Sequence, residues 1–199
     1  MPYEVTRRLE TALCQYTGSR YAVAVNSCTA ALLLALQWFN KTDHGLSVIL
    51  PKRTYVSVPC AAKLAGWQIM WRGGIWRGAY QIEPLPVWDC ARRFTSDMYI
   101  AGQFQCVSFS SSKILGIEQG GAILHDNAEA DAWFRKMRFD GRTEGVAAVD
   151  DHFDVVGHHC IMLPSIAAQL LLKLYHLPKH NEDLPEVEYP DLSLHPAFK

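Results

Sequence analysis

The sequence predicts an α/β domain built on a largely parallel sheet. Two patterns carry that prediction: short apolar runs of strand length alternate with helix-period segments, and small polar turns sit where strands hand over to helices. Composition supports a globular chain. Of 199 residues, 49% are hydrophobic, enough for a full core. Nineteen basic residues against twenty acidic ones leave a net charge of −1, which gives no support for a nucleic-acid binder working through bulk charge. No run approaches the ~18–20 apolar residues needed to span a bilayer; the best, Thr29 to Trp38, is short and contains Gln37. The start Met1-Pro2-Tyr3-Glu4 soon becomes charged and does not read as a signal peptide, so a cytoplasmic location is expected. Cys14, Cys28, Cys60, Cys90, Cys106 and Cys160 are scattered with no Cys-x-x-Cys pair, the pattern of free thiols; neither disulfides nor zinc are expected.

In chain order, Val5, Leu9, Leu13 and Tyr16 recur at helical spacing and predict an amphipathic helix over Glu4 to Tyr16, ended by Gly18. Tyr21 to Val25 is a buried strand. Asn26 to Thr29 makes a polar turn, and Ala30 to Leu36 is strongly helix-forming. Ser47 to Leu50 is a second strand, and a helix begins near Pro59 and closes at Gly66. Trp67 to Trp71 and Leu85 to Trp88 read as strands flanking a Gly-rich stretch from Gly73 to Gly78. Phe104 to Phe109 and Ala122 to Leu124 are further strands. Ala128 to Met137 is a helix capped by Asp126 or Asn127, and Ser165 to Tyr175 is a helix with Ser165 as its cap. Residues 1–175 read as one domain. The tail, 176–199, holds four prolines and five acids without helical period, and is expected to pack on the domain or on a partner subunit.

Three features invite a chemical reading. Ser27-Cys28-Thr29 opens a helix, where free N–H groups and the positive dipole end favour an anion such as phosphate; simple N-capping by Ser27 explains the same residues. Asp89 follows an apolar strand, where α/β proteins bind ligands, although a helix cap fits equally well. Lys113 ends a hydroxyl-rich loop, Ser108 to Ser112, with Gly120-Gly121 close behind. A lone lysine is surface charge far more often than a catalyst, but a desolvated one becomes a nucleophile near neutral pH. Together the three match the needs of pyridoxal phosphate: a lysine for its aldehyde, a helix N-terminus for its phosphate, and a carboxylate to keep the ring nitrogen protonated. Tyr55 supplies a candidate aromatic face.

The sequence resembles the DegT/DnrJ/StrS-type sugar aminotransferases, a branch of the fold-type I pyridoxal-phosphate enzymes, over most of its length. YAVAVNSCTAALLLAL (Tyr21 to Leu36) is similar to the family's Ser-Gly-Thr phosphate turn, with Cys28 in place of glycine. VILPKRTYVSVPCAAKLAG (Val48 to Gly66) is similar to its Pro-Ser-x-Thr-aromatic segment, and VWDCA (Val87 to Ala91) to Glu-Asp-x-Ala. SFSSSKILGIEQGGAIL (Ser108 to Leu124) is the closest match. Phe139-Asp140-Gly141 and Gly157 to Met162 resemble two later landmarks.

The resemblance implies a three-layer, mostly parallel sheet, shortened in the middle and without the family's C-terminal small domain. It implies pyridoxal 5'-phosphate as cofactor and Lys113 as the Schiff-base lysine. Ser27, Cys28, Thr29 and Ser108 fall at the phosphate, Tyr55 over the ring, Asp89 at the ring nitrogen, and Arg92 (Gln or His in the family) near the ring hydroxyl. His159 falls in a segment that reaches the phosphate of the neighbouring subunit. The implied reaction moves an amino group from an amino acid, glutamate by resemblance, to a keto-sugar nucleotide, in a homodimer with the active site at the interface. No nucleic acid, membrane or metal enters this reading; His152, His158 and His159 have no partner at ligand spacing. Two other readings share the scaffold: a different pyridoxal-phosphate activity such as a lyase, racemase or desulfurase, and a cofactor-binding remnant without turnover. The remnant reading draws on the 22 residues between Gly66 and Asp89, where the family has a longer stretch.

Overall fold

A computed structural model describes residues 3–41 and 47–198. The readings of residues 1–2 and 199 lie outside it.

Helix α1, Glu4–Thr17, ends at Gly18 in the left-handed region (φ 81°), whose N–H donates to the Cys14 carbonyl at 2.9 Å. Strand β1, Tyr21–Val25, leads into α2, Cys28–Asn40, with Ser27 as its cap. Strand β2, Ser47–Pro51, is followed by α3, Ser57–Leu64, and β3, Gln68–Arg72. Then come β4, Tyr80–Ile82, β5, Val87–Asp89, β6, Phe104–Ser108, and β7, Gly121–His125. Helices α4, Ala128–Met137, and α5, Pro164–Tyr175, follow. Asn127 caps α4, its side chain accepting from the Ala130 N–H at 2.9 Å. The expected Ser165 cap of α5 is corrected: Leu163 holds the cap position without a side-chain bond and Pro164 opens the helix, proline costing nothing where the N–H lacks an intrahelical acceptor.

The main sheet runs β1-β7-β6-β5-β4, and β2 pairs with β3 in a second, parallel sheet. Among the described residues the two are linked by an antiparallel bridge, Ile49 donating to the Glu83 carbonyl at 2.8 Å. Layering is as expected. Val23, Val25, Cys106 and Ile123 face a core with α2, α3 and α4, whereas Ala22, Ala24, Val107 and Leu124 face a core with α1 and α5. Strands buried on both faces explain the unbroken apolar runs.

The mostly parallel arrangement needs correction: the main sheet is mixed, and β5–β6 is its one parallel pair. Strand β4 was not predicted. Four residues separate it from β5, and so short a link makes a hairpin, since a parallel crossover needs a dozen or more. The reversal places Tyr80, at the start of β4, beside Asp89 at the end of β5.

The tail packs on the domain. Arg93 forms a two-pronged pair with Asp183 at 2.9 and 2.7 Å, Arg53 donates to the Tyr189 carbonyl at 2.8 Å, and the Leu192 N–H donates to the Lys52 carbonyl at 2.9 Å. Phe198 is buried near Trp71.

Candidate active site

The carboxyl ends of β1, β2, β5 and β6 converge on one edge of the molecule, joined there by the start of antiparallel β7. A cavity of about 550 Å³ opens at that edge. It brings together Ser27, Cys28, Thr29, Tyr55, Asp89, Arg92, Ser108 and Lys113, the residues expected at the site apart from His159.

The α2 turn forms one end. Ser27 Oγ accepts from the Ala30 N–H at 3.1 Å, so it does cap the helix, and Thr29 Oγ1 donates to Ser57 Oγ at 2.8 Å. The turn lies hard against the start of β7, where a Cβ on Gly121 would stand 2.5 Å from the Cys28 nitrogen. Only glycine lets the two backbones approach this closely. Cys28 is half-buried, its Sγ 3.6 Å from the Cys106 carbonyl, and burial raises its pKa well above the usual thiol value, so it is a neutral wall group.

Asp89 forms the floor and is only 4% exposed. Burial raises its pKa; the Ala91 N–H at 2.9 Å, the Tyr80 hydroxyl and the charge of Lys113 pull it back. Tyr80 also lies 2.6 Å from Thr54 Oγ1. Lys113 is half-buried on the loop between β6 and β7. Burial lowers its pKa first and the Arg92 charge second, against the opposing charge of Asp89. Its loop is tight: Lys113 donates through its N–H to the Ser110 carbonyl at 2.9 Å, and a Cβ on Gly116 would meet the Lys113 oxygen at 2.5 Å. Desolvation and a neighbouring cation weaken the lysine's hold on its proton, which is what nucleophilic amine chemistry requires.

Tyr55 lines the cavity mouth and is 58% exposed. His159 does not line the cavity. It is exposed, with Nδ1 2.8 Å from Asp140 Oδ2. Sequence reasoning missed Thr54, Tyr80, Trp76, Val187 and Tyr189. Tyr80 lies in the strand that carried no periodic signal, and Val187 and Tyr189 lie in the aperiodic tail.

The fold is that of the pyridoxal-phosphate-dependent aminotransferases. The chain superposes on the sugar aminotransferase CalS13 from Micromonospora echinospora with a TM-score of 0.74 and 18% identity, over 87% of this chain and 60% of that one. It superposes on DesV from S. venezuelae, solved in complex with a ketimine intermediate, with a TM-score of 0.71 and 20% identity, over 87% and 57%. A DegT DnrJ EryC1 StrS aminotransferase from Brucella abortus gives 0.72 and 19%, over 87% and 59%. Residues 1–71 match the model of the DegT/DnrJ/EryC1/StrS aminotransferase family, in line with the resemblance seen in the sequence. No curated protein matches the chain. The chain spans less than two thirds of the length of these solved structures. Among the described residues no helix is long and apolar enough to cross a membrane, and no group of His, Cys, Asp or Glu is arranged to hold a metal.

Proposed function

We propose that this protein binds pyridoxal 5'-phosphate through Lys113 and transfers an amino group from an amino acid, glutamate as donor, to a keto-sugar nucleotide. The observation that carries the reading is the meeting of Lys113, Asp89 and the α2 turn in one cavity from three separated stretches of chain. The residues present fit the cofactor. Close approach at Gly121 leaves the α2 N-terminus and the hydroxyls of Ser27, Thr29 and Ser108 as a cradle for a phosphate. When bound, the cofactor supplies an electron sink.

The chain's own residues then have defined tasks. Lys113 would hold the cofactor through its neutral amine and would move the proton at the substrate carbon. Asp89 stabilises a protonated ring nitrogen, with Tyr80 and Thr54 fixing its orientation. Arg92 and Tyr55, which both line the cavity, would meet the ring hydroxyl and cover the ring. We read residues 1–175 as the cofactor-binding domain and 176–199 as a tail packed on it. Our reading includes a cytoplasmic homodimer in which exposed His159 reaches the partner's site.

One observation favours a cofactor-binding protein without turnover instead. The short link between Gly66 and Asp89 holds β3 and the β4–β5 hairpin beside the site, where the family's longer stretch is expected.

Adding pyridoxal phosphate to the purified protein tests the reading. A visible absorbance band is expected, lost in Lys113→Ala and bleached by glutamate. A band that survives in K113A removes Lys113 from the role. A band that no amino donor bleaches favours the second reading.

A further inference from the structure

Three charged side chains line the cavity: Asp89, Lys113 and Arg92. The cofactor reading above, on which this inference rests, assigns Lys113 to the aldehyde and the α2 turn to the phosphate. Arg92 is then the cation left for a second anion. The tail restrains it. Its Nη2 donates to the Pro185 carbonyl, its charge acts on the Tyr189 phenol that lines the same cavity, and its own carbonyl accepts from the Leu184 N–H at 2.9 Å. Its Nε, by contrast, is buried and has no hydrogen-bond partner among the described residues. A buried guanidinium N–H without an acceptor is costly and is normally satisfied by a ligand or water.

Val187 and Tyr189 of the tail also line the cavity, so the tail forms a wall of the site. The Tyr189 ring lies near Trp76 (centroids 6.3 Å, 8° between planes) and Tyr55 (6.4 Å). Glu186 and Glu188 line a neighbouring vestibule of about 250 Å³, not the inner cavity.

We infer that Arg92, held in place by the tail through Tyr189, is the anchor for a carboxylate of the amino-acid substrate. A guanidinium has five N–H donors in a planar fork, so contacts to the tail and to a ring hydroxyl still leave donors for a carboxylate. The tail settles which way that fork points. Tyr189 is a positioning residue acting through Arg92.

Calorimetric titration with glutarate and with its uncharged diamide, at fixed ionic strength, tests this in protein with and without pyridoxal phosphate. Glutarate should bind about tenfold tighter than the diamide, the scale of a charge-assisted contact. Arg92→Gln, which keeps a donor for the ring hydroxyl, should bring the ratio close to one, and Tyr189→Phe should lower it about threefold. Equal binding of the two probes by the wild type, or an unchanged ratio in R92Q, overturns the anchor. An unchanged ratio in Y189F overturns the part assigned to the tail. Should R92Q fail to fold by circular dichroism, the wild-type ratio and Arg92→Lys decide, with a severalfold loss expected because lysine lacks the fork. The comparison in cofactor-free protein keeps this outcome separate from any failure of the pyridoxal-phosphate reading, which the visible band reports alone.

Discussion

Tyr80 stands directly opposite Asp89 in the antiparallel β4–β5 pair, where its hydroxyl favours the charged Asp89 carboxylate and lies 2.6 Å from Thr54 Oγ1. Paired residues share a face of the sheet, so the hairpin itself delivers the phenol to the acid. In a buried site this contact opposes the desolvation that would otherwise keep Asp89 protonated.

Removing that phenol tests the relay. Tyr80→Phe should cost about 1–3 kcal/mol, because a buried hydroxyl beside a charged group is lost and Thr54 is left without its partner. Urea denaturation measures the cost. The same variant should weaken pyridoxal phosphate binding, read from the visible band; full-strength binding would show that Asp89 needs no support from β4.

The contact between Gly121 and the α2 turn makes a sharper prediction. In Gly121→Ala the new methyl would stand 2.5 Å from the Cys28 nitrogen and 2.6 Å from the Ser27 carbonyl carbon, both backbone atoms. The turn must move, at a cost of about 1–3 kcal/mol. Phosphate-dependent binding should suffer more than stability: affinity for pyridoxal phosphate should fall well beyond that for pyridoxal.

His125 predicts a pH effect far from the cavity. It is fully buried, parallel to Phe104 (centroids 5.5 Å, 2°) and 3.7 Å from Asp131. Burial depresses its pKa to about 4, despite the opposing charge of Asp131. The ring titrates near pH 6.5 when unfolded. The unfolded chain therefore binds the extra proton between those values, and stability falls as pH drops from about 6.5 towards 4. The full shift corresponds to about 3 kcal/mol. Unfolding midpoints of wild type and His125→Phe across this range should differ in slope, the variant being flatter.

A second buried cluster ties α1 to α4. Glu10 pairs with Arg138, and with Arg135 at 2.8 Å, and it accepts the Ala24 N–H at 2.9 Å. Burial raises its pKa, but the charges of Arg138 and Arg135 outweigh that and leave it lowered. The stabilisation is present above the unfolded carboxyl's pKa and is lost as pH falls through the lower folded value. Glu10→Gln should cost about 3–5 kcal/mol by leaving Arg138 buried without its main partner, measurable by chemical denaturation at neutral pH.

Most of the architecture was legible in the chain. Helix α1 announced its apolar spacing and its glycine stop, and β1 and β7, buried on both faces, read as continuous apolar runs. That Ser27, Asp89, Ser108 and Lys113 line one cavity was legible because each lies at a strand end or in the turn or loop that follows, where residue type invites a chemical reading. The direction of β4, the Tyr80–Asp89–Thr54 chain and the tail as a wall were decided by tertiary structure alone. Three residues are too few to show a period, and a tail held largely through backbone carbonyls, with Asp183 and Phe198 as its side-chain anchors, shows no repeating pattern. Strand direction depends on link length and on which edge is free, and the charge state of a buried acid depends on neighbours brought in from elsewhere in the chain. Both are properties of the packed sheet, not of any local stretch.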